Sequence, residues 1–277
     1  MKNLISHSIV DRLRAESNKL QQEFHRAKSD VSTRFFVVDN LLPEEISQAI
    51  HSAFPPCSEM RLMSSFREKK YTSKSLNKFP QIISDATFAF QTPEVIAEIA
   101  HICGFKNLIA DPYLYAGGIS AMAKNHYLNP HIDNSHDAEQ QFYRRLNLLY
   151  YVTPGWQADF GGNLEVWDAK VLKPLEIPSL FNRLVVMETH RHSYHSVNRV
   201  RVEGVRCCVS NYYFQKESLE EKDYFHVTSY VARPEQPFRR LVSKVDNSLR
   251  TLLRQILPKG VGKKDLYQGS KSEINKY

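Results

Sequence analysis

Asn129-Pro130-His131-Ile132-Asp133-Asn134 contains the only His-x-Asp of the chain. On an extended strand, residues i and i+2 point to the same side. An imidazole at His131 and a carboxylate at Asp133 can therefore grip one metal ion. A second imidazole, brought back from a distant strand, completes a two-histidine, one-carboxylate face that leaves three positions of an octahedral metal open. His195 is the candidate. It lies 62 residues after Asp133 and follows the strand-like run Leu184-Val185-Val186-Met187. Eleven residues later Arg206 opens another strand pattern, Arg206-Cys207-Cys208-Val209-Ser210-Asn211-Tyr212-Tyr213-Phe214.

The pair alone decides nothing. With 11 histidines and aspartate at roughly one residue in twenty, about half an occurrence arises by chance. Order and context carry more: strand, His-x-Asp, strand, Gly-Gly turn, strand, strand, histidine, then arginine on a strand. The segments NPHIDNSHD (129–137), RRLNLLYYVTPGWQADFGGNLEVWD (144–168), FNRLVVMETHRHSYHSV (181–197) and RCCVSNYYF (206–214) resemble the iron(II)- and 2-oxoglutarate-dependent dioxygenases, in their prolyl 4-hydroxylase-like branch. The resemblance runs from about Arg34 to Phe214.

It implies a fold that is mainly β with flanking helices, the double-stranded β-helix or distorted jelly roll. It implies Fe(II), 2-oxoglutarate and O2 as cofactors, with ascorbate as an optional stimulant. His131, Asp133 and His195 would be the metal ligands and the catalytic centre. Arg206 would meet the C5 carboxylate of 2-oxoglutarate with its two-pronged fork, helped by Tyr151, with Asn147 lining the same pocket. His136, His190 and His192 are rival ligands, and Arg199 and Arg201 rival anchors. The reaction implied is hydroxylation of a substrate C–H bond with decarboxylation of 2-oxoglutarate to succinate and CO2. The substrate would be a small molecule, peptide or protein carrying a prolyl or other C–H site. A catalytically silent barrel used for binding, and a cupin-type metal dioxygenase without 2-oxoglutarate, are the alternatives.

The residues themselves support this architecture. Many short strand patterns separated by Gly and Pro turns argue for an all-β barrel or jelly roll. In Arg145–Val152, Asn147, Leu149 and Tyr151 share one face and Leu146, Leu148 and Tyr150 the other, which suits an inner strand. Residues 5–27 read as one helix with an apolar stripe at Ile9, Leu13, Leu20 and Phe24. Helices are also expected to about Phe54, over 81–91 and over 93–103. The polar, basic stretch 58–81 shows no periodicity and reads as a loop, and 170–178 as a short connection.

A chain of 277 residues, 42% apolar and 24% charged, makes one large domain or two small ones. The organisation expected is an N-terminal helix (1–30), a dioxygenase domain (31–232) and a basic C-terminal helix and tail (233–277). That last segment holds eleven Lys/Arg against four Asp/Glu, so it accounts for the whole net charge of +7; it reads as a solvated terminal helix and tail or as a docking surface for an acidic partner or nucleic acid. Its helix is expected over 238–257, and the tail from Lys259 shows no core residues. A helix near 219–222 and a strand over 223–230 are also expected. No run approaches the roughly 18 apolar residues of a membrane helix, and the N-terminus lacks the apolar core of a secretory signal. Four cysteines without a disulfide or zinc pattern point to a reduced, cytoplasmic setting with no membrane association.

Overall fold

The computed structural model describes residues 1–26, 28, 31–115, 117–218, 224–236 and 267. The expectations for a helix at 219–222, for the helix at 238–257 and for the tail other than Tyr267 lie outside these residues.

In chain order the elements are α1 (Lys2–Ala15), α2 (Ser17–His25), β1 (Phe35–Val38), α3 (Glu44–Ser52), β2 (Arg61–Ser64) and β3 (Glu68–Ser73). Next come α4 (Gln81–Ala89), α5 (Pro93–Cys103), β4 (Ile109–Ala110), β5 (Gly118–Ala123), β6 (Tyr127–Ile132) and β7 (Tyr143–Tyr151). The chain continues through β8 (Leu164–Trp167), β9 (Pro174–Ile177), β10 (Arg183–Glu188), β11 (His195–Val197), β12 (Val205–Gln215) and β13 (Ser229–Tyr230). Every strand pair is antiparallel.

The strands form one curled sheet in the order β1-β10-β7-β12-β5-β3-β6-β11-β8-β9. The curl closes at β3, which pairs with β5 through Tyr71–Ser73 and with β6 through Glu68 and Lys69. This is the half-barrel of a double-stranded β-helix, as expected. Its convex side carries the helices. Leu146, Leu148 and Tyr150 of β7, Leu184 and Val186 of β10 and Val209 of β12 share one core with the described helices α1 to α5. Each fully buried aliphatic side chain there contributes about 1.5–3 kcal/mol. The concave side holds Asn147, Leu149 and Tyr151 on β7 and Arg206, Cys208, Ser210 and Tyr212 on β12, all lining a cavity of about 430 Å³.

Four expectations need correcting. The single helix expected over 5–27 is replaced by α1 and α2, because Glu16 leaves helical geometry at φ −117° and ψ 11°. The break brings Leu20 and Phe24 into the same core as Ile5, Ile9 and Leu13. The stretch 58–81 is no loop: it contains the β2–β3 hairpin, built into the barrel seam. The connection 170–178 contains β9, an edge strand that pairs with β8. Of the strand expected over 223–230, only Ser229 and Tyr230 are paired, against β6.

Candidate active site

The curl of the sheet places His131 near the end of β6 directly opposite His195, the first residue of β11. Asp133 follows two residues later. The side-chain Nε2 atoms of His131 and His195 each lie 3.7 Å from an oxygen of Asp133. One ligand atom from each of the three residues falls within 4.8 Å of the other two, and all three are buried. Both imidazoles are fixed by the same device. His131 Nδ1 lies 3.0 Å from the Asn129 carbonyl, and His195 Nδ1 lies 3.0 Å from the Ser193 carbonyl. A carbonyl only accepts, so each Nδ1 donates and each Nε2 keeps its lone pair facing the cluster. That is the tautomer a metal needs. Burial, and then the neighbouring His195, pull the His131 pKa down to about 3, which keeps its ring neutral. Burial pushes the Asp133 carboxyl up, but His195, Arg144 and His131 outweigh it and hold Asp133 below its ordinary value. These donors fit a hard-to-borderline divalent cation.

Farther into the cavity lies Arg206, 4% exposed. Its Nη2 donates to Met122 Sδ at 2.8 Å, its guanidinium lies 5.1 Å from the Tyr151 ring centre, and its Nε has no hydrogen-bond partner. No carboxylate of the described residues forms an ion pair with it. A buried guanidinium left without an anion is costly, so the site fits a ligand carboxylate. The Gly161-Gly162 turn makes room for it: a Cβ on Gly162 would come within 3.1 Å of Arg206 Cδ. Tyr151 is 1% exposed, and burial raises its pKa far above the usual phenol value. Asn147 lines the cavity nearer the cluster, its Nδ2 3.4 Å from Asp133 Oδ2 and its Oδ1 unpaired.

The rivals sit elsewhere. His136 is engaged with Ser135 and with the Tyr143 ring, and His190 and His192 occupy a turn in contact with each other. Arg199 donates to the Asn125 carbonyl and Arg201 to the Asp159 carbonyl.

Two site residues escaped the sequence reading. Arg144 is 1% exposed, lies 3.6 Å from Asp133 Oδ2 and stacks 4.1 Å over the Tyr212 ring, with none of its three nitrogens hydrogen-bonded. Strand alternation from Asn147 points Arg145 inward instead. The register between β7 and β12 slips between Tyr213 and Phe214, and such a bulge reverses the facing of the next residue. Arg145 turns outward to Gln215 and the Glu217 carbonyl. Tyr230, on β13, stacks on His131 with ring centres 5.1 Å apart. Nothing in the sequence near Tyr230 marks it.

Comparison with known proteins follows this geometry. Residues 117–214 match the model of the 2OG-Fe(II) oxygenase superfamily. Prolyl 3-hydroxylase OGFOD1 of Mus musculus is 32% identical over 98 residues, which are 32% of this chain and 17% of that protein. The chain thus spans about a sixth of that relative's length. In fold, a prolyl-4-hydroxylase of Pseudomonas putida aligns with a TM-score of 0.51 and 13% identity over 77% of this chain and 100% of its own. A prolyl 4-hydroxylase of Phytophthora capsici aligns with a TM-score of 0.51 and 12% identity over 98% of this chain and 83% of its own. The stretch that supplies the three clustered side chains and Arg206 is therefore a 2OG-Fe(II) oxygenase domain, similar in sequence to the prolyl hydroxylase branch of that superfamily.

Proposed function

We propose that this chain is an Fe(II)- and 2-oxoglutarate-dependent hydroxylase of a peptide or protein substrate. The single observation that carries the reading is a buried His131–Asp133–His195 cluster with Arg206, which has no carboxylate partner among the described residues, in the same cavity. His131, Asp133 and His195 would hold iron, each histidine through Nε2. Arg206 would bind the distal carboxylate of 2-oxoglutarate over the Tyr151 face, and Asn147 would orient Asp133. With both groups bound, the site supplies decarboxylation of 2-oxoglutarate to succinate and CO2, one oxygen atom of O2 entering the succinate and the other the substrate C–H bond. The protein's own work is to bind, orient and keep out water. The four cysteines are free thiols, which supports a reduced, cytoplasmic setting. Oxidation of a prolyl side chain is the substrate choice that the OGFOD1 and prolyl 4-hydroxylase likenesses support.

The test is iron-dependent succinate release by the purified chain. His131→Ala and His195→Ala should abolish it while leaving the fold's thermal transition in place. Arg206→Ala removes one partner of a desolvated charge pair, a loss of about 3–5 kcal/mol. The 2-oxoglutarate concentration for half-saturation should rise by about a hundredfold or more, with metal affinity nearly unchanged. Arg206→Lys should recover part of the loss, since charge returns without the fork. Saturation of Arg206→Ala at the wild-type concentration would remove Arg206 from the site.

A further inference from the structure

The β2–β3 hairpin lies outside the segment that matches the oxygenase family, yet it forms one wall of the active-site cavity. Alternation decides which of its side chains face inward. Glu68, Lys70 and Thr72 on β3, Lys74 just beyond its end, and Arg61 and Met63 on β2 all line the cavity. Register locks them together: Arg61 lies opposite Thr72, and Met63 opposite Lys70. Lys70 Nζ pairs with Glu68 at 3.1 Å, and its charge also acts on Asp133 and His131.

The charge balance of this cavity is lopsided. Among the described residues, Arg61, Lys70, Lys74, Arg144 and Arg206 line it against the carboxylates Glu68 and Asp133, an excess of three positive charges. A divalent metal and the dianion 2-oxoglutarate cancel each other, so loading the site leaves that excess in place. A concave cavity with an excess of one sign focuses its field on whatever enters. Arg144 adds a buried guanidinium to the same cavity, 3.6 Å from Asp133 and with no hydrogen bond on any nitrogen. The hairpin also supplies a backbone template. Among the described residues β2 has β3 as its one strand partner, so its other edge can add an extended peptide beside the cavity mouth.

We infer that the substrate is an acidic peptide segment, laid along the β2 edge with Asp or Glu side chains beside the hydroxylated residue meeting Arg61 and Lys70. This rests on the hydroxylase reading and names its substrate class. Such a wall repels basic segments by like charge, so it selects as well as attracts.

The test uses the full chain loaded without oxygen with Fe(II) and 2-oxoglutarate. The probes are fluorescein-labelled ten-residue peptides with a central proline and either aspartate or lysine flanks, and a ten-nucleotide oligodeoxythymidine. The aspartate peptide should bind at least about tenfold tighter than the lysine peptide, and its affinity should fall with salt. Lys70→Glu should weaken it by at least about tenfold more, while Lys70→Arg keeps it. Equal binding of both peptides, or tighter binding of the oligonucleotide, overturns the inference. Displacement of the peptide by inorganic phosphate at equal concentration would make the ligand a small anion and overturn the peptide assignment. Succinate release is read separately. Its absence with aspartate-peptide binding intact counts against the hydroxylase reading alone. Its presence with no peptide preference counts against the acidic substrate alone.

Discussion

Arg144 shows how one side chain can be expensive to the fold and still be kept. Its guanidinium is buried with no hydrogen bonds and one carboxylate, Asp133, at 3.6 Å. In the metal-free protein that pairing matters, because Asp133 is buried too. Once a dication shares Asp133, Arg144 is left as an under-compensated charge, which costs stability unless a substrate acceptor meets it. The sign of Arg144→Met should therefore depend on metal. Without metal the variant should lose about 3–5 kcal/mol, the cost of breaking a buried pair. With Fe(II) and 2-oxoglutarate it should melt at or above the wild-type temperature. Its succinate release should outrun substrate oxidation, because one of the cations that meet the substrate is then missing. Thermal scans with and without metal, and the ratio of succinate to hydroxylated product, check both halves. A drop in melting temperature under both conditions with an unchanged ratio would make Arg144 purely structural.

At the scale of elements, what was legible depended on which faces are dry. β7 and β12 read cleanly because their alternation separates an apolar helix-facing side from a mixed cavity side. The His131–Asp133 spacing was legible for the same reason, since i and i+2 share a face on β6. The hairpin was hidden because its cavity face, Glu68, Lys70 and Thr72, is polar like its outer residues. A strand wet on both sides has no period-2 hydrophobic signal. Arg144 was hidden by a bulge that no local composition announces, and Tyr230 by the shortness of β13, which is two residues long. The hairpin is held to the barrel at Gly118, whose φ of +112° suits glycine and whose added Cβ would sit 2.5 Å from the Ser73 carbonyl. Gly118→Ala should cost about 2–3 kcal/mol and lower the melting temperature by about 5–10 °C. It should also reduce substrate turnover more than substrate-free succinate release, since the hairpin is the substrate wall. The segment 224–233 is pinned differently. Arg233 forks onto buried Glu165, which also accepts from Ser196, and His226 stacks on Tyr224 with both ring nitrogens unpaired. Burial first, then Arg191 and His136, pull the His226 pKa from 6.5 to about 4. The folded value lies below the unfolded one, so the unfolded segment takes up the proton more readily. Its contribution is whole above pH 6.5 and lost as pH falls toward 4, by up to about 3 kcal/mol. Amide exchange in this segment should accelerate between pH 6.5 and 4 beyond the intrinsic trend, and His226→Phe should remove the excess. An excess that survives in His226→Phe would assign it to another group.

On the scale of the whole molecule, the barrel and its helices are one structure. Of the N-terminal residues 1–30, expected as a helix ahead of the oxygenase domain, α1 and α2 share their core with the convex face of the sheet. Ile5, Ile9, Leu13, Leu20 and Phe24 are all fully buried there, and Arg34 binds Glu188 of β10 with both prongs. At about 1.5–3 kcal/mol for each buried side chain, these five carry on the order of 10 kcal/mol, comparable to the total stability of an ordinary domain. Deleting residues 1–26 should therefore yield a chain with no cooperative thermal transition, although none of those residues touches the cavity. The opposite end gives the contrasting case. The tail from Lys259 was expected to hold no core residues, but Tyr267 is 6% exposed, its ring lies 5.2 Å from Phe88, and its N–H donates to the Tyr113 carbonyl at 2.7 Å. That corrects the expectation at one position and bounds what truncation should do. Among the described residues a chain ending at Pro258 loses one buried aromatic, Tyr267, so it should keep a cooperative transition with stability lowered by about 3–5 kcal/mol. Its 2-oxoglutarate turnover at 25 °C should be close to that of the full chain. Tyr267→Ala in the full chain should reproduce the same loss, which separates the anchor from the rest of the tail. Truncation that abolished turnover while Tyr267→Ala spared it would mean that other residues of the tail act on the site.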